Sequence, residues 1–154
     1  MHTICRIQND AFDVVKLHDA LCENSKNTGA VATFTGLVRG FDKSGEHPAI
    51  DYMYLQHYPQ MTESSLKLII EQVNSRFDLL AATVIHRIGK LKPGDPIVFV
   101  GIASEHRRDG FQATQFIMDY IKTQAAIWKQ VSLNDQKYWV EVNKTDLLAL
   151  KYWQ

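Results

Sequence analysis

Basic residues on three short stretches carry what chemistry this sequence offers: Arg39, the run His106-Arg107-Arg108, and the pair Lys122 and Lys129. The run follows a segment that reads as a buried strand and precedes one that reads as a helix. Cationic side chains placed there reinforce the free N–H groups and dipole of a helix start, a combination suited to an anion such as phosphate. A solvated positive loop is the alternative, and this segment alone leaves both open. On a helix turning about 100° per residue, Phe111, Thr114, Met118, Ile121, Ala125 and Trp128 form one apolar stripe. Lys122 and Lys129 then fall roughly 20° from each other at its edge. Two readings stand. Snorkelling stems that cover apolar surface explain such lysines without function. A partly desolvated pair, in which burial and repulsion favour the neutral amine, would supply an acid or base near neutral pH.

Other candidates are weaker. His57 and His86 with Arg87 stand at strand ends, where an imidazole is more often a satisfied structural group than a ligand. No pair of histidines has zinc-site spacing with cysteine or carboxylate partners, so no metal and no other cofactor is expected. The chain has no Walker A loop, GxGxxG turn or GxSxG elbow, which removes the main signals of nucleotide enzymes and serine hydrolases. Cys5 and Cys22 form no CxxC pair and read as two reduced, partly buried thiols.

The elements that must position these residues follow from apolar periodicity. Strands are expected over 2–8, 30–38, 49–58, 82–88, 97–104 and 138–142, and helices over 13–23, from about Thr62 to Phe77, and from Asp109 to about Gln130. A short helix is expected in the last dozen residues. Thr62 is the candidate N-cap of the second helix, and Asp109 with Gln112 resembles a capping box for the third. The segment AVATFTGLV reads as a central strand delivering Arg39 to an edge. Lys92-Pro93-Gly94-Asp95 suits a type II turn between two paired strands. Turn-rich patches at 24–29, 40–48 and 92–96 are too short for linkers, so residues 1–154 form a single α+β domain.

Composition limits the function. The 154 residues carry 17 Lys plus Arg against 17 Asp plus Glu, with 45% hydrophobic residues. Zero net charge offers no broad cationic field for nucleic acid or an anionic membrane, though a local cluster still binds one small anion. No apolar run reaches the length of a membrane span and the first residues lack a signal peptide's pattern, so a soluble, cytoplasmic protein without nucleic-acid or membrane partners is expected.

Four segments, GAVATFTGLVRG, LQHYPQMTE, TVIHRIGKLKPGDPIVFVGIASEHR and FIMDYIKTQAAIWKQ, resemble in order the large, catalytic subunit family of molybdopterin synthase. The resemblance implies an α+β fold of the α/β-hammerhead type, with a mixed β-sheet packed with helices. It implies a homodimer within a heterotetramer, in which each large subunit binds one small ubiquitin-like sulfur carrier. That partner's C-terminal Gly-Gly thiocarboxylate enters the pocket and converts cyclic pyranopterin monophosphate (precursor Z) into the dithiolene of molybdopterin. The resemblance also implies Lys122 and Lys129 as catalytic residues and Phe34, Leu37, Val38, Arg39, His106, Arg107, Met118 and Val131 as substrate-binding ones, with part of the pterin site coming from the other protomer. The family often has Lys at Leu37, Glu at Gln56 and Glu at Val131. Those departures make a catalytically impaired scaffold for the partner's tail the rival reading.

Overall fold

The computed structural model describes residues 1–40 and 49–154; most of the turn-rich patch at 40–48 therefore lies outside the described residues. Among the described residues, eight strands form two four-stranded sheets. The first has the order β1-β4-β6-β2, from β1 (His2–Gln8), β4 (Leu79–Arg87), β6 (Pro96–Ser104) and β2 (Ala30–Leu37). It is mixed: β1 runs parallel to β4, and the other pairs are antiparallel. The second, antiparallel sheet has the order β5-β3-β7-β8, from β5 (Gly89–Leu91), β3 (Tyr52–His57), β7 (Ile127–Leu133) and β8 (Gln136–Val140). Helices α1 (Val14–Cys22), α2 (Pro59–Arg76), α3 (Arg107–Gln124) and α4 (Lys144–Ala149) complete an α+β fold.

The sheets share a core. Val84, Val98, Val100 and Ile102 of the first sheet and Leu55 and Leu91 of the second belong to one buried cluster with Leu66, Ile69 and Val73 of α2 and Phe116, Ile117 and Tyr120 of α3. Phe116 stacks on Tyr120 and meets Phe77 and Trp153 edge-on, so aromatic packing ties the chain's last turn to α3. At the turn between β5 and β6, Gly94 has φ +88° and Asp95 N–H donates to the Lys92 carbonyl at 3.0 Å, as a type II turn requires.

Several expectations are corrected. The segment 30–38 does not form a central strand: β2 is an edge of its sheet, and the largely buried β4 and β6 are the interior ones. β2 is apolar because α3 covers its inner side, not because strands flank it. Thr62 is no N-cap, since Pro59 opens α2 one turn earlier. The Asp109–Gln112 box does not form: α3 begins at Arg107 with His106 at its N-cap position and no side-chain cap. The face α3 buries runs through Ala113, Phe116, Ile117, Tyr120 and Ile121, leaving Phe111 exposed. Cys5 and Cys22 are exposed rather than partly buried.

The correction that bears most on function is the end of α3. Helix stops at Gln124, Ala125 is extended (φ −69°, ψ 132°), and Ile127–Leu133 pairs as a strand with β3 and β8. Helical phase therefore does not relate Lys122 to Lys129. The β-forming residues Ile127, Trp128 and Val131 meet two waiting strand edges, and that pairing outweighs the residual helical periodicity.

Candidate active site

Between the two sheets and the C-terminal half of α3 lies a cavity of about 890 Å³, within the range of small-ligand sites. Lys122 enters it from the last turn of α3. Lys129 enters from β7, where it stands between Leu55 on β3 and Val140 on β8. The strand's alternation decides this: Lys129, Val131 and Leu133 all line the cavity, while Trp128 packs edge-on against Tyr58 with centroids 5.1 Å apart. The two lysines converge through different elements, joined by the extended Ala125 and by Ala126.

The connector is pinned. Thr62, fully buried in α2, donates its hydroxyl to the Ala126 carbonyl at 2.7 Å. The C-terminal segment holds the end of α3 from the other side: Trp153 Nε1 donates to Asp119 at 2.8 Å, and Asp146 of α4 lies 3.7 Å from the half-exposed Lys122 ammonium. Neither contact left a signal that period or spacing could reveal, because each joins residues distant in sequence.

Phe34, Leu37, Arg39, Met118 and Val131 also line the cavity, so seven of the ten sequence-predicted residues meet there. Phe34 and Leu37 come from edge strand β2, and Arg39 follows it. Val38 stands behind this wall: its side chain is 2% exposed, and its main chain exchanges hydrogen bonds with Gly94 and Asp95. His106 and Arg107 do not reach the cavity. They are exposed at the start of α3, and at about 1.5 Å per residue Lys122 stands roughly 22 Å further along that helix.

One wall residue carried only a weak functional signal in the sequence. His86 is 3% exposed yet borders the cavity. Its Nδ1 donates to the Arg87 carbonyl at 2.7 Å. Burial pushes the imidazole down to about 4, the adjacent carbonyl opposes this, and the charges of Lys129 and His57 add to the depression. Arg87 itself bonds the Asn9 and Pro96 carbonyls and is structural.

Among the described residues the charged groups on the wall are Arg39, Lys122, Lys129 and Glu141, set in an otherwise largely apolar lining. Three cations to one carboxylate favour an anion, and the apolar walls strengthen that attraction by excluding water. A cation-lined cavity between the two sheets of an α+β protein suits a small anionic ligand.

Comparison with known proteins assigns the family. The model described as "MoaE protein" matches residues 7–124, and the chain belongs to that family. It is 42% identical over 149 residues to the molybdopterin synthase catalytic subunit of Pseudomonas aeruginosa, covering 97% of each chain. It is 44% identical to the Escherichia coli subunit of the same description, covering 92% of each. The solved molybdopterin biosynthesis MoaE protein of Burkholderia ambifaria superposes with a TM-score of 0.81 at 38% identity, covering 99% of this chain and 98% of that one. A more distant fold match, at 19% identity and a TM-score of 0.72, is a complex of subunits 1 and 2 of a molybdopterin-converting factor from Helicobacter pylori.

Proposed function

We propose that the chain is the catalytic subunit of a molybdopterin synthase, a cytoplasmic sulfurtransferase. The observation that carries this reading is the convergence of Lys122 and Lys129, from a helix end and a strand, on one cavity with Arg39. The family membership supports it. A small ubiquitin-like partner inserts its C-terminal Gly-Gly thiocarboxylate into the cavity; its sulfur bonds to a side-chain carbon of cyclic pyranopterin monophosphate in place of an oxygen, and water then cleaves the acyl–sulfur bond, leaving the sulfur on the pterin and a C-terminal carboxylate on the departing partner. Two such transfers build the dithiolene of molybdopterin. Only glycines let the partner's backbone approach the reacting centre closely enough.

Arg39 holds the substrate's phosphate by charge-assisted hydrogen bonds. Lys122 moves a proton or stabilises charge developing at the thiocarboxylate carbonyl, and Lys129 orients the substrate beside it. His106 and Arg107, at the far end of α3 from their own cavity, serve the cavity of a second copy, so the working unit is a homodimer carrying two partner subunits.

Mixing the purified protein with thiocarboxylated small subunit and cyclic pyranopterin monophosphate is expected to yield molybdopterin. Tail docking without product, under conditions where the E. coli catalytic subunit turns over, would refute the enzyme and leave a scaffold.

A further inference from the structure

The C-terminal segment meets the cavity's cations through a charged contact. The Asp146 carboxylate stands 3.7 Å from the Lys122 ammonium, and both side chains are part-exposed. At that distance the two form an ion pair rather than a hydrogen bond. Lys122 lines the cavity and Asp146 does not, so the carboxylate meets the ammonium from outside the wall. The segment that carries Asp146 is anchored. Trp153 is buried, its Nε1 donates to Asp119 at 2.8 Å, and its carbonyl accepts from Arg76 at 2.6 Å. Asp119 and Lys122 are three residues apart on α3 and so are neighbours on its surface. Asn143 starts α4 there: its side chain accepts from Thr145 N–H at 3.2 Å and its carbonyl from Asp146 N–H at 3.0 Å.

We propose that Asp146 is a positioning residue for Lys122: the anchored C-terminal segment presents its carboxylate to the ammonium and fixes where that charge stands at the cavity. Lysine has a flexible four-carbon stem and a strongly hydrated head. Holding a half-exposed one at a reacting centre costs rotamer entropy, and a fixed counter-charge offsets that cost. An ammonium carries three N–H donors, so the pairing leaves donors for a ligand. This rests on Lys122 acting in sulfur transfer at this cavity. An acidic residue in the first turn of α4 also suits that helix's own dipole, a role that would appear in unfolding and not at Lys122.

The test begins with the protein alone, carrying ¹³C at lysine Cε, with Lys122 assigned by its loss in Lys122→Arg. Relaxation should show Lys122 more ordered than the exposed Lys67 of α2. In Asp146→Asn, which keeps the shape and removes the charge, that order should fall to the Lys67 level, while Asp146→Glu should keep most of it. A part-exposed pair adds little to stability, so Tm should hold. Should the Asn variant fail to fold, Asp146→Ser serves as the uncharged variant. In turnover, Asp146→Asn should lose roughly tenfold in kcat with KM for the pterin nearly unchanged, and Glu should restore most of it. On a Lys122→Ala background the same Asn substitution should cost less than about twofold. An unmoved Lys122, equal losses in the Asn and Glu variants, or a tenfold loss that persists without Lys122 would overturn the proposal. A loosened Lys122 with wild-type turnover would support the positioning and refute the proposed role of Lys122 in sulfur transfer.

Discussion

Lys122 and Arg39 share a cavity but differ in what each removal should cost. If Lys122 acts in the transition state, Lys122→Ala should lower kcat by about 10² to 10⁴ with substrate affinity little changed. Arg39→Ala should weaken substrate binding instead, by roughly ten- to a hundredfold, the worth of one charge-assisted hydrogen bond at about 1.5–3 kcal/mol. Single-turnover kinetics with titrated substrate separates the two, and a saturated Lys122→Ala reacting at the wild-type rate would refute the catalytic assignment. His86 predicts a pH dependence of stability. Its folded value is lowered to about 4 from an ordinary 6.5, so between those values the unfolded chain binds more protons. The stabilisation is complete above about pH 6.5 and lost as pH falls through 4, with a slope of up to about 1.4 kcal/mol per unit. Urea unfolding across that window should show the slope in wild type and a shallower one in His86→Gln.

Elements explain why the lysine pair was legible in the sequence while its geometry was not. Strand periods gave β1 at its observed ends and most of β2, β4 and β6, because apolar alternation is local. The three-residue β5 is too short for a period. The helix-to-strand switch at Ala125 is decided by β3 and β8, whose edges are remote in sequence. Helical arithmetic therefore placed Lys122 and Lys129 together for the wrong reason. Their real junction depends on the Thr62 hydroxyl at the Ala126 carbonyl. Thr62→Val keeps the shape and removes that donor, so it should destabilise by about 1–3 kcal/mol. At about 2–4 °C per kcal/mol for a chain this size, calorimetry should register the loss in Tm. Thr62→Ser, which retains the hydroxyl, should lose less.

At the scale of the whole molecule, the distance between the two ends of α3 makes a quantitative prediction. If His106 and Arg107 of one copy complete the cavity of the other, Lys122→Ala and Arg107→Ala proteins should complement each other. In a mixed dimer one site carries both defects and the other carries neither. Random exchange gives half mixed dimers, so activity should return to roughly a quarter of wild type. A mixture no more active than its parents would place both residues in the service of a single chain. Composition and period could not suggest such a division, because they describe one chain; only the family resemblance implied that part of the site comes from the other protomer.

The connector between the lysines also sets a rule for how the gene can change. Along β7 the residues facing the cavity alternate with those facing away. One codon inserted or deleted between those for Gln124 and Ile127 would invert that alternation, turning Lys129 outward and bringing Trp128 or Gln130 inward, unless the strand slipped on both neighbours at once. A two-codon change restores the alternation but slides the lysine past Leu55 and Val140. In a library of variants this stretch should accept many substitutions and almost no length changes, whereas at the two-residue turn between β7 and β8 the positive φ of Asn134 and Asp135 should restrict substitution to Asn, Asp and Gly.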